Sequence, residues 1–162
     1  MWGKAFLQQA RSDWKAYLEI QNLPLDDCHK LYYLRVTTEK LSKAALLKGS
    51  GYNPENIRKH KLFVKYLQQA HRNPNLCRVL KMRPSQVKEY IDGVLSIADG
   101  IQNLAPGKGN DGANAEYPWE ISGKIYIPAN YKFPEVKQLE TVEGRKFLNL
   151  LRSILDNFES AY

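Results

Sequence analysis

The sequence predicts an all-α fold: an up-and-down bundle of about five helices, with an aromatic-rich extended loop or small hairpin before the last one. Two observations lead there. Apolar residues recur at three- and four-residue steps through several long stretches, the period that gathers a buried stripe on one side of a helix. Between those stretches stand helix breakers, at Pro24, in "GSGYNP", at Pro74 and at Pro106.

The first helix is expected from Trp2 to about Asn22, with Phe6, Leu7, Ala10, Trp14, Tyr17 and Leu18 turned inward and Pro24 ending it. A second opens after "PLDD", where Asp26 or Asp27 can cap free amides and oppose the positive helix end. It runs to Gly49. Leu31, Leu34, Thr38, Leu41 and Ala45 form one stripe there, and Tyr33, Val36, Thr37, Ala44 and Leu47 widen it, so this helix has neighbours on more than one side. Its short side chains, Thr37, Thr38, Ser42, Ala44 and Ala45, allow another backbone to approach closely, within the bundle or across a dimer seam. Glu39 and Lys43 stand in the favourable i,i+4 order with Arg35 one turn earlier, read as a solvated edge of structural ion pairs.

A third helix is expected from about Glu55 to His71, stopped by Pro74, with a short helical turn in "NLCRVLKM" after it. A longer helix starts near Pro84 or Ser85 and ends before Pro106, with Tyr90, Ile91, Val94, Leu95, Ala98, Ile101 and Leu104 apolar. Residues 106–135 then change texture. Gly, Pro and Asn break helices, and Ile121, Ile125 and Ile127 surround Ser122-Gly123 as in a small hairpin. Tyr117, Trp119, Tyr126, Tyr131 and Phe133 favour an ordered arm laid over the helices. Thr141 is placed to cap a final helix whose inner face is Phe147, Leu148, Leu151, Ile154, Leu155 and Phe158. No repeat or linker divides the chain, so residues 1–162 read as a single helical domain.

Composition narrows the chemistry. The two cysteines, Cys28 and Cys77, lie far apart, with no Cys-x-x-Cys and no nearby histidine pair, which argues against a zinc site or disulfide framework and for a reducing cytoplasm. No long apolar segment suggests secretion or a membrane span. No cofactor or metal is expected: there is no phosphate-binding Gly-x-x-x-x-Gly-Lys-Ser/Thr loop, no acidic cluster at metal spacing and no Gly-x-Ser-x-Gly elbow.

The 24 Lys and Arg exceed the 17 Asp and Glu, a formal charge of +7, which favours acidic partners, nucleic acid first among them. Arg58, Lys59, His60, Lys61, Lys65, His71, Arg72, Arg78, Lys81 and Arg83 concentrate that charge. Arg58, Lys59, Lys61, Lys65, Arg72 and Arg78 are the candidate nucleic-acid contacts, acting on backbone phosphates by charge neutralisation. The competing reading makes them only the solvent side of a helix.

The runs "DCHKLYYLRVTTEKLSKAALL", "RKHKLFVKYL", "IADGIQNLAP", "EYPWE" and "IPANYKF" together resemble the higher eukaryotes and prokaryotes nucleotide-binding (HEPN) family, in particular a group of uncharacterised prokaryotic HEPN-like proteins. The similarity extends from about Ser12 to Leu155, with Tyr33, Glu39, Lys40, Lys43 and Ala44 matching a helix-two pattern. The resemblance implies a helical bundle, commonly a homodimer, in toxin–antitoxin, defence and RNA-processing systems, often beside a nucleotidyltransferase partner. Active members are metal-independent ribonucleases with an arginine followed, after four to six residues, by a histidine. This chain lacks that motif: the windows before His29 and His60 hold no basic residue, and the window before His71 offers Lys65. Lysine lacks the bidentate fork of arginine. The leading expectation is therefore a non-catalytic, dimeric binding or accessory protein. The alternatives are a ribonuclease with a divergent site at Lys65, His71 and Arg72, and a structural subunit with no nucleic-acid role.

Overall fold

The computed structural model describes residues 1–49, 57, 61–106 and 112–162. Eight helical segments are found among them. Five have eight residues or more: α1 (Trp2–Ile20), α2 (Asp27–Gly49), α3 (Phe63–Ala70), α5 (Pro84–Asn103) and α7 (Val142–Asp156). Three are short: α4 (Pro74–Val79), α6 (Pro134–Leu139) and α8 (Phe158–Ala161). The fold class is the all-α bundle that the apolar period predicts.

The core forms where α1, α3 and α5 pack on α2, and where α7 packs on α5 and α1. Phe63, Leu67, Val87, Val94, Ile101, Phe147, Leu151 and Ile154 are almost wholly buried there. Burying each large apolar side chain contributes roughly 1.5–3 kcal/mol. The most extensive helix contact joins α1 to α2. It is close because the residues at the seam are small: a Cβ added at Gly3 would stand 3.5 Å from the Ala44 carbonyl oxygen and 3.6 Å from Leu47 Cβ. Thr37, Thr38, Ser42, Ala44 and Ala45 are all buried within this one chain, so the close approach they permit occurs inside the bundle. Arg11 then ties α1 to the C-terminal end of α7, donating from Nε and Nη2 to the Leu155 carbonyl and from Nη1 and Nη2 to the Glu159 carboxylate. A carbonyl left without a helical partner is satisfied by that contact.

Three boundaries differ from the expected ones. α1 ends at Ile20, and Leu18 is exposed. α3 begins only at Phe63, after non-helical Lys61 and Leu62, while most of the preceding predicted stretch lies outside the described residues. Pro74 does not stop a helix but starts one. Asn73 caps α4 by accepting from the Asn75 and Leu76 amides, and Pro74 occupies the first turn, where its missing N–H costs nothing. The Asn73 amide also donates to the Ala161 carbonyl, fastening α8. Asn73→Ala is accordingly expected to lower stability by about 1–2 kcal/mol in chemical denaturation.

Residues 107–111 of the arm lie outside the described residues, and from Gly112 on its aromatic residues Trp119, Tyr126, Tyr131 and Phe133 pack over the helices. Strands β1 (Trp119–Ile121) and β2 (Lys124–Tyr126) pair antiparallel through Ser122-Gly123, both at positive φ (51° and 79°), the pattern of a type I′ hairpin turn. Trp119 stacks on Tyr126 at 5.7 Å and meets Tyr131 edge-on at 5.0 Å, and Phe133 closes the cluster against the bundle. Thr141 caps α7 as expected, its hydroxyl accepting from the Gly144 amide. Among the described residues no helix is long and apolar enough to cross a membrane.

Candidate functional site

The polar residues of α2 lie inside the protein. Arg35, Glu39 and Lys43 are only 4%, 9% and 7% exposed, which corrects their reading as a solvated edge. The reason is that α2 is flanked by α1, α3, α5 and the 3-10 turn at Pro128–Asn130, which cover most of its middle. The four-residue steps stack the three side chains into a ladder. Arg35 Nη1 donates to Glu39 Oε2 at 2.9 Å, and Lys43 Nζ donates to Glu39 Oε1 at 2.6 Å. Arg35 Nη2 reaches out of the helix to the Glu116 carboxylate on the arm. The Arg35 guanidinium also lies 5.7 Å from the Tyr32 ring centre, and Lys43 Nζ is 5.7 Å from that of Phe6.

Among the described residues, two cations and two anions thus meet in a place poorly screened by water, where each charge depends on its neighbours. A second pair, Lys40 with buried Asp13, joins α2 to α1. The hydroxyls of Thr37, Thr38 and Ser42 return hydrogen bonds to the carbonyls of Tyr33, Arg35 and Glu39, so they too are satisfied in place. Among the described residues, the Arg35 Nε has no hydrogen-bond partner. The arrangement can latch the arm to the central helix.

The basic candidates lie elsewhere, on the lobe formed by α3, α4 and the start of α5. Arg58 and Lys59 fall outside the described residues. Lys61 precedes α3, Lys65 is on its first turn, and Arg72 follows its end; all three are exposed. Arg78 on α4 is exposed and donates to Asn75 Oδ1, and Lys81 and Arg83 are exposed at the α4–α5 joint. His71 is half-buried and forms the C-terminal cap of α3.

Beside this lobe opens a cavity of about 430 Å³ lined by Arg72, Gln69, Asn73, Asn75, Tyr66 and Tyr162 among others. Of the three residues considered for chemistry, Arg72 borders it; Lys65 and His71 are not among its lining residues. The Tyr66 and Tyr162 hydroxyls are 2.6 Å apart. Burial pushes the Tyr66 phenol well above its ordinary range and that of Tyr162 up to about 12, so both are neutral at physiological pH. They supply hydrogen bonds and ring faces there, not a base. Cys28 is buried, and desolvation, helped by Asp26, raises its thiol pKa, which disfavours the thiolate. Among the described residues no group of three or more His, Cys, Asp or Glu is placed to hold a metal ion.

Sequence reasoning passed over Gln69, Asn73, Asn75 and Tyr162 as lining groups. The one available signal was Asn-Pro at 73–74, a helix-start signature that also fixes where the Asn73 side chain points.

The distribution of charge is more telling than its total. From Asn56 to Lys88 there are nine Lys and Arg and no Asp or Glu; the remaining fifteen basic residues face all 17 acids. The whole positive excess therefore resides in one stretch of chain, and every described Lys and Arg in it is exposed. Comparisons with protein-family models, with characterised proteins and with solved structures give no match to this chain, so its functional reading rests on these residues.

Proposed function

We propose that this protein binds the phosphate backbone of nucleic acid through the α3–α4–α5 lobe without cleaving it, as a HEPN-like accessory component of a toxin–antitoxin, defence or RNA-related system. One observation carries the reading: the positive excess of the chain is confined to residues 56–88, and its described members are solvent-exposed. Exposed cations spaced along helices and their joints gain most from a polyanion, whose condensed counterions are released on binding. The absence of an Arg-x4–6-His motif favours binding over catalysis. A homodimer, or a complex with a protein partner such as a nucleotidyltransferase, belongs to the same proposal.

Fluorescence anisotropy with a labelled single-stranded RNA over a potassium chloride series tests it. For Lys61→Ala/Lys65→Ala/Arg72→Ala, the slope of log affinity against log salt is expected to become shallower by about 2, on the order of 0.7 per lost phosphate contact. Equal affinity and slope for variant and wild type would remove the lobe from consideration and leave a structural subunit. Cleavage of the RNA in EDTA that disappears in His71→Ala would instead establish the ribonuclease reading.

A further inference from the structure

The hairpin carries an unpaired strand edge. In a two-residue hairpin the residues flanking the turn, here Ile121 and Lys124, form a hydrogen-bonded pair, and bonding alternates from there. Glu120 and Ile125 are consequently a non-bonded pair, and their N–H and C=O groups point away from the sheet. Among the described residues the sheet has these two strands alone, and no backbone hydrogen bond outside it uses either group of Ile125. Unpaired edge groups beside exposed apolar side chains form a template for another strand. Ile125 is 68% exposed and Ile127 50%, against a core whose other isoleucines on α5 and α7 are buried.

We infer that the outer edge of β2 pairs antiparallel with the same edge of a second copy of this chain, about a two-fold axis at Ile125. The residues complement themselves in that register. Ile125 faces Ile125 of the second copy and the two exchange both backbone bonds. Lys124 falls opposite Tyr126 of the second copy, repeating between chains the contact Lys124 Nζ already makes 5.1 Å from its own Tyr126 ring centre. Ile127 falls opposite Gly123 of the second copy, where the space a side chain would fill is empty: an added Cβ meets nothing within 4 Å. The Ile127 N–H can then donate to the Gly123 carbonyl. The other edge of the hairpin is unsuitable. A two-fold axis on β1 sets Glu120 against Glu120, and like charges directly opposite are unfavourable.

Three-residue strands bury little surface, so the pairing is a transient dimer, below the roughly 1,000 Å² expected of a stable interface. It is independent of the phosphate-binding reading.

Disulfide trapping tests it. A hydrogen-bonded antiparallel pair sets Cα atoms about 5.5 Å apart, within disulfide range, and the native Cys28 and Cys77 are buried. Under mild oxidation, Ile125→Cys is expected to give disulfide-linked dimer on a non-reducing gel at least about tenfold faster than Glu120→Cys, because pairing raises its local thiol concentration. Circular dichroism checks that both retain the helical fold. Equal rates for the two variants, or faster trapping of Glu120→Cys, overturn the inference.

Discussion

Replacing Glu39 with alanine is expected to cost about 3–5 kcal/mol of folding stability, because it leaves two buried cations with no carboxylate between them. Among the described residues, Glu39 is the one that both Arg35 Nη1 and Lys43 Nζ touch. Without it, two positive groups about two turns apart are left without the carboxylate that joins them. Urea denaturation followed by circular dichroism measures the loss, and a change under about 1 kcal/mol would mean that water reaches the ladder and screens it. Replacing the whole ladder, as Arg35→Met/Glu39→Leu/Lys43→Met, is expected to restore most of that loss, since apolar residues of similar volume avoid the desolvation cost altogether. The Glu116 carboxylate would then lose its cation on α2. Slow amide exchange in the arm should drop accordingly, even where global stability recovers.

Gly144→Ala is the second substitution with a large expected effect. The α6–α7 joint folds back over this position so closely that an added Cβ would lie 2.3 Å from the Gln138 carbonyl oxygen and 2.5 Å from the Leu139 Cα and carbonyl carbon. Those are main-chain atoms, so relief requires moving the end of α6 and breaking the Thr141 cap, whose hydroxyl accepts from the Gly144 amide and donates to the Gln138 carbonyl. A loss of about 3 kcal/mol is expected, which for a chain of this size lowers the melting temperature by roughly 6–12 °C. Gly93→Ala on α5 provides the contrast. Nothing lies within 4 Å of its Cβ position, and alanine there should stabilise the helix by up to about 1 kcal/mol. Equal melting temperatures for the two variants would show that the joint yields.

The helices were readable where a stripe of apolar residues faces one way. α5 and α7 present Ile91, Val94, Ala98 and Ile101, and Phe147, Leu151 and Ile154, at regular helical steps, and each is buried. Local turn chemistry was readable too, in Ser122-Gly123 and Thr141. The ladder was not. Arg35, Glu39 and Lys43 at four-residue steps look the same on a wet surface as in a core, and what decides between them lies far away, including Glu116, 81 residues along the chain. The cavity has the same property, since Tyr66 and its hydroxyl partner Tyr162 are 96 residues apart. Pro74 was misread for a local reason: proline ends one helix and begins another with equal ease, and only the preceding Asn73, with its side chain on the Asn75 and Leu76 amides, distinguishes the two.

Confining the excess of cations to one stretch makes the molecule strongly dipolar. If the proposed phosphate binding holds, the protein is expected to approach a polyelectrolyte with α3 and α4 first, and to meet it faster than its overall charge of +7 would give. Retention on a cation exchanger would follow the same orientation. With residues 56–88 neutralised, the fifteen remaining basic groups are outnumbered by 17 acids, and the protein would behave in the column as a weakly acidic one.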